Sequence, residues 1–208
     1  MHTVIFDFDG TLVDSNKVKT QSFLEFGILL DGNTKRIKSV IEKIPGDRLS
    51  IWRAFLENKH EKKFNEGLLE KTINEFNEYI DRQVVLSRDI DGSKELLEYL
   101  SAGNFEVILS SKTPLKNLIQ IIEKKGWSHY FDRVYGSPSK KDDIIDSLIK
   151  SKLLNPMKTF IVGDGEDDMI SAKKNNCNFF PVGNNPIFIN EEKVFNLQEI
   201  LVFFKKLN

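Results

Sequence analysis

The sequence predicts an α/β fold: a doubly wound parallel sheet with an inserted α-helical domain. Two observations carry this. From about residue 88 onward short apolar runs alternate with helical stretches, the pattern of a parallel sheet covered on both faces by helices. A further apolar run, Val4-Ile5-Phe6, opens the chain, and about 70 residues of purely helical periodicity separate it from the others. The first strand therefore belongs to the same sheet, and the helical stretch is an insertion after it. The expected boundaries are 1–15 and 88–208 for the α/β core and 16–87 for the helical domain.

Each element has its own signal. Phe23, Phe26 and Leu30 recur at spacings of three and four, as do Leu69, Ile73, Phe76 and Ile80, so the region from Asn16 to Leu86 reads as helices. The stretch "IPGDRLS" (44–50) breaks it with Pro and Gly, and Asp47 suits the N-cap of a helix running through Glu57. Beyond it, "FEVILS" (105–110), "RVYGS" (133–137), "TFIVGDG" (159–165) and "NFFPVG" (178–183) read as strands. Helices are expected over Ser93–Ala102, Pro114–Lys125, Asp142–Lys152 and Asp167–Asn175. No internal repeat or low-complexity segment is visible.

Bulk properties narrow the function. With Lys+Arg 30 against Asp+Glu 31, the net charge of −1 gives no basic surplus for nucleic acid or an anionic membrane. No apolar run approaches the roughly 20 residues needed to span a bilayer. The single cysteine, Cys177, has no internal partner for a disulfide, and the chain opens without a signal-like segment, so the expected location is the cytosol. His2, His60 and His129 lie far apart, which argues against a histidine-based zinc site or a Ser-His-Asp triad. The 16 phenylalanines, Trp127 and Cys177 are expected to be packing residues.

Polar clusters at the strand ends carry the chemistry. Asp7 and Asp9 stand at the exit of a buried strand, where an unpaired carboxylate costs several kcal/mol. In open α/β sheets the active site lies outside the carboxyl ends of the strands. Four clusters occupy those ends: Asp7-Phe8-Asp9-Gly10-Thr11, Ser110-Ser111-Lys112, Lys140-Lys141, and Gly163-Asp164-Gly165-Glu166-Asp167-Asp168. Gathered carboxylates raise one another's pKa unless a cation compensates, and hard oxygen ligands in twos and threes suit Mg²⁺. The serines and lysines supply what a phosphoryl oxygen needs.

In this order the clusters resemble the four motifs of the haloacid dehalogenase superfamily, in its phosphatase branch. "DFDGTLVDS" is similar to the first motif, "VILSSK" to the second, "SKKDDII" to the third and "FIVGDGEDD" to the fourth. The inserted helices match the position of that family's helical cap. The resemblance implies that Asp7 is the nucleophile and Asp9 the general acid and base. It also implies that Thr11, Ser110 and Ser111 hold phosphoryl oxygens. Mg²⁺ would be held by Asp7, the backbone carbonyl of Asp9 and Asp164, with Asp168 supporting the metal shell. Of the adjacent lysines, spacing favours Lys141 over Lys140 as the residue that neutralises phosphate and nucleophile, and Asp167 is an alternative to Asp168. Arg48, after a glycine-containing turn, resembles a cap specificity residue; an exposed helical arginine is the other reading.

The implied function is a Mg²⁺-dependent phosphomonoesterase for a small phosphorylated metabolite, a phosphosugar for preference, acting through an aspartyl phosphate. A phosphomutase of the beta-phosphoglucomutase type shares all four motifs, and a non-catalytic binder of phosphometabolites is a third reading. Neither nucleic acid nor a membrane is an expected partner. The oligomeric state is open, a monomer included.

Overall fold

The computed structural model describes residues 1–44, 48–60, 64–190 and 193–207. Pro45, Gly46 and Asp47, where the helix break and N-cap are expected, lie outside the described residues. The chain divides into two compact units, Met1–Ser15 with Ser87–Asn208, and Asn16–Leu86.

In the first unit the strands are β1 (His2–Phe6), β2 (Phe105–Pro114), β3 (Arg133–Ser137), β4 (Thr159–Gly163) and β5 (Asn178–Pro181). They pair in parallel in the order β3-β2-β1-β4-β5. β1 is therefore central, and the order reverses between it and β4, which is where open α/β sheets leave a crevice at their carboxyl ends. Register places Ile5 beside both Ile108 and Ile161. The strand pleat sends these three to one face, where Ile145, Leu148, Leu154 and Ala172 complete a buried cluster. Ile145 and Leu148 come from α7 (Lys141–Lys150) and Ala172 from α8 (Glu166–Lys174), so both helices that carry motif residues are anchored by this cluster.

The opposite face is aromatic. Phe105, Phe160 and Phe180 converge on Phe204, with ring centroids 5.3, 5.2 and 6.0 Å away. Phe204 is fully buried and belongs to α9 (Leu197–Leu207), which packs beside α5 (Ser93–Ala102). The remaining helix of the unit is α6 (Leu115–Lys124). Most expected elements agree with these to within one or two residues. Two in this unit differ: α9 has no counterpart in the sequence reading, and β2 runs on to Pro114 where the strand was expected to stop at Ser110.

The second unit holds α1 (Asn16–Asp31), α2 (Lys35–Lys43), α3 (Arg48–His60) and α4 (Glu66–Leu86). The helical periodicity buries an aromatic core: Trp52, Phe55 and Phe76 are fully buried, and Phe76 lies 4.6 Å from Phe23 and 4.9 Å from Trp52 between ring centroids. Among the described residues no helix is long and apolar enough to cross a membrane.

Candidate active site

Asp7 follows the last residue of β1, and its N–H still donates to Val162 O at 2.9 Å, so the backbone is fixed by the sheet. The chain then turns. Gly10 sits in the left-handed region (φ 82°), which residues with a side chain rarely adopt, and its N–H donates to Val13 O at 2.8 Å. This turn lies beside the end of β2. Asp9 Oδ1 accepts a hydrogen bond from Ser15 Oγ at 2.6 Å. Its Oδ2 accepts from Thr113 Oγ1 at 2.9 Å and from Ser111 Oγ at 3.3 Å.

At the exit of β4, a Cβ on Gly163 would stand 2.1 Å from Asp168 Cγ. Glycine is what lets the first turn of α8 fold back against its own strand, and it brings Asp168 to the centre of the site. Asp168 is buried; its Oδ2 accepts from the Gly165 N–H at 3.0 Å and its Oδ1 accepts from Lys141 Nζ. Asp164 Oδ1 receives the Thr11 hydroxyl at 3.4 Å, and its carbonyl receives Asn185 Nδ2 at 2.9 Å. Asp167 turns away from the centre and pairs with Lys112 at 2.7 Å.

The start of α7 separates the two lysines. Lys140 is exposed, whereas Lys141 is buried with Nζ 3.1 Å from Asp7 Oδ1 and in closer contact with Asp168 Oδ1. Burial pushes the Asp7 carboxyl up to about 7; Lys141 pulls the other way, and Asp168 and Asp9 add to the rise. Asp168 is also raised, chiefly by burial. Burial works against the charge on Lys141, but Asp7 and Asp168 outweigh it and hold the ammonium above the ordinary lysine range.

Asp7, Asp164 and Asp168 each offer an oxygen, and these atoms all lie within 4.8 Å of one another. Three carboxylates thus face one ammonium, a charge imbalance a divalent cation would correct. The donor set is all hard oxygen, partly buried and preassembled, so the residues fit Mg²⁺. Beside them lies a cavity of about 340 Å³ lined by Ser110, Ser111, Ser137, Ser139, Lys140 and Lys141, among others.

Two sequence expectations meet different surroundings. Thr11, expected to hold a phosphoryl oxygen, is fully buried with its hydroxyl turned toward Asp164. Arg48 is neither an exposed helical arginine nor a free one. Its Nη1 donates to Asn77 Oδ1 at 2.5 Å, and its guanidinium lies 5.8 Å from the Phe76 ring centroid, within the helical unit. Ser15, Thr113 and Asn185 were not anticipated. For Thr113 a signal existed, since it is two residues from Ser111 and an extended strand puts both on one side.

A parallel sheet with carboxylates clustered at the ends of β1 and β4, and a buried lysine brought to them by the start of α7, defines an α/β enzyme with an acidic, cation-binding site. Comparison with known proteins gives the family. The profile of the family described as "Haloacid dehalogenase-like hydrolase" matches residues 4–182, and the chain belongs to that family. It is 28% identical over 191 residues to a phosphoglycolate phosphatase of Psychrobacter arcticus, covering 83% of this chain and 79% of that one. Among solved structures, a predicted phosphoglycolate phosphatase from Haemophilus somnus has a TM-score of 0.76 at 21% identity, covering 98% of both chains. A beta-phosphoglucomutase from Clostridium difficile has a TM-score of 0.66 at 18% identity, covering 99% of this chain and 96% of that one. The four motifs read from the sequence led to this same family.

Proposed function

We propose that this chain is a Mg²⁺-dependent phosphomonoesterase that hydrolyses a small phosphorylated alcohol, a phosphosugar or a short phosphorylated acid, through an aspartyl phosphate on Asp7. The observation that carries the reading is Lys141, buried and bridging Asp7 and Asp168 within reach of Asp164. A buried cation with three carboxylates is a poor choice for stability alone but a suitable one for receiving a dianionic phosphate. The phosphatase named among the relatives points to the same chemistry.

Asp7, Asp164 and the carbonyl of Asp9 would hold Mg²⁺, with Asp168 in support. The ion would supply positive charge to the phosphoryl oxygens and keep Asp7 ionised. An Asp7 carboxylate oxygen attacks phosphorus and the bond from phosphorus to the ester oxygen breaks. Asp9 gives its proton to that leaving oxygen. Asp9 then takes a proton from water as the water oxygen attacks the aspartyl phosphate, and the bond to Asp7 breaks to release inorganic phosphate. Lys141 offsets charge on Asp7 throughout, and Ser110 with the neighbouring serines lines the space for the phosphoryl group.

The test is a screen of phosphorylated metabolites with Mg²⁺, reading released phosphate. At least one sugar phosphate or phosphorylated acid is turned over, and exhaustive chelation abolishes the release. Full turnover after chelation, or no turnover of any ester, contradicts the reading.

A further inference from the structure

The geometry points to Thr113 as a positioning residue that, with Ser15 and Ser111, fixes the carboxylate of Asp9 through hydroxyl contacts. The inference rests on the phosphatase reading above, in which Asp9 moves a proton twice per turnover. Its basis is the way β2 ends. The strand continues past Ser110 to Pro114, with an irregularity in its pairing to β3 between those residues. The pleat sends Ser111 and Thr113 to one side and Lys112 to the other, where it meets Asp167. Both hydroxyls therefore reach the same oxygen, Asp9 Oδ2, and Ser15 takes the other, Oδ1. Ser111 Oγ also accepts the Thr113 N–H at 3.1 Å, which ties the two hydroxyl-bearing residues to each other. Thr113 is 3% exposed and Ser15 fully buried, while Asp9 itself is half-buried.

The two aspartates of the first motif are thus held by different chemistry. Asp7 meets an ammonium, which only donates, and in the mechanism it has to stay ionised. Asp9 meets three hydroxyls, each able to donate to a carboxylate or accept from a carboxyl. The three contacts hold the Asp9 carboxyl from both of its oxygens. Orientation of this kind matters because a group misplaced by about 1 Å can lose on the order of 10²-fold in rate.

The test uses the full chain with Mg²⁺ and two esters, glycerol 2-phosphate and p-nitrophenyl phosphate, under single-turnover conditions. Thr113→Val keeps the shape and removes the hydroxyl. It is expected to slow cleavage of the alkyl ester by about tenfold or more, with nitrophenol release slowed far less, because nitrophenolate leaves without a proton. Thr113→Ser restores most of the alkyl rate. If Thr113→Val does not fold, Thr113→Ala gives the same split between the esters. Equal slowing of both esters, no slowing of either, or no rescue by serine overturns the positioning role while leaving the phosphatase reading intact. A wild-type chain inert on all phosphate esters overturns both.

Discussion

Asp7 and Gly163 lie at the centre of the site, and each can be tested singly. With the Asp7 carboxyl pushed up to about 7, the folded protein without metal binds a proton that the unfolded chain, near the ordinary value of about 3.9, releases earlier. A raised carboxyl lends stability at low pH and loses it as pH rises through the folded value. The asparagine amide carries no such loss. Urea unfolding of the metal-free protein should therefore show Asp7→Asn gaining on wild type from about pH 4 to about pH 7 and level above that. A constant difference across this range would show that burial does not oppose the charge on Asp7. In activity, Asp7→Asn should lose more than about 10²-fold in kcat, some 2.7 kcal/mol of barrier. Gly163→Ala brings a methyl to 2.1 Å from Asp168 Cγ. It should destabilise the fold by about 3 kcal/mol, the upper end for overpacking, or displace Asp168 and abolish activity. Unchanged stability together with unchanged turnover would contradict the close approach.

Among the elements, those with strong local patterns were legible in the sequence: "RVYGS" and Ser93–Ala102 have the expected bounds as β3 and α5. The end of β2 was not, because Ser-Ser-Lys-Thr-Pro has the composition of a turn, and only pairing to β3 keeps it extended. Lys141 was favoured by spacing and Asp168 by resemblance with Asp167 as its alternative, whereas which of them turns inward depends on how α7 and α8 dock on Ile5, Ile108 and Ile161. The hydroxyls on Asp9 come from two places in the chain, Ser15 six residues on and Ser111 with Thr113 about a hundred residues on, and only the two-residue spacing of Ser111 and Thr113 was a local signature. α9 went unread although its apolar residues recur at helical spacing, and its anchor gives a clear test. Phe204→Ala should cost about 3–5 kcal/mol in urea unfolding, since the ring is fully buried among Phe105, Phe160 and Phe180. A loss under about 1 kcal/mol would mean the helix is not part of the cooperative core. Cys177 packs against the core on the other face, and burial pushes its thiol up to about 11. Iodoacetamide at pH 8 should label it slowly in the folded protein and promptly in urea; equal rates would place the thiol in solvent.

For the whole molecule, binding of Mg²⁺ to the folded state alone should raise the unfolding free energy by about 2.7 kcal/mol at a hundredfold excess over Kd. Asp164→Asn should lose most of that gain, and an equal gain in the variant would move the metal elsewhere. The central claim is that Asp7 carries the phosphoryl group during turnover. Its most direct test is Asp9→Asn in the full chain, mixed with p-nitrophenyl phosphate and Mg²⁺, quenched in acid and digested for mass spectrometry. With its proton carrier gone, the variant should release a burst of about one equivalent of nitrophenol and stall with a phosphoryl group on the peptide bearing Asp7. Nitrophenol release without a burst, and no phosphorylated Asp7 peptide at any time, would contradict the account.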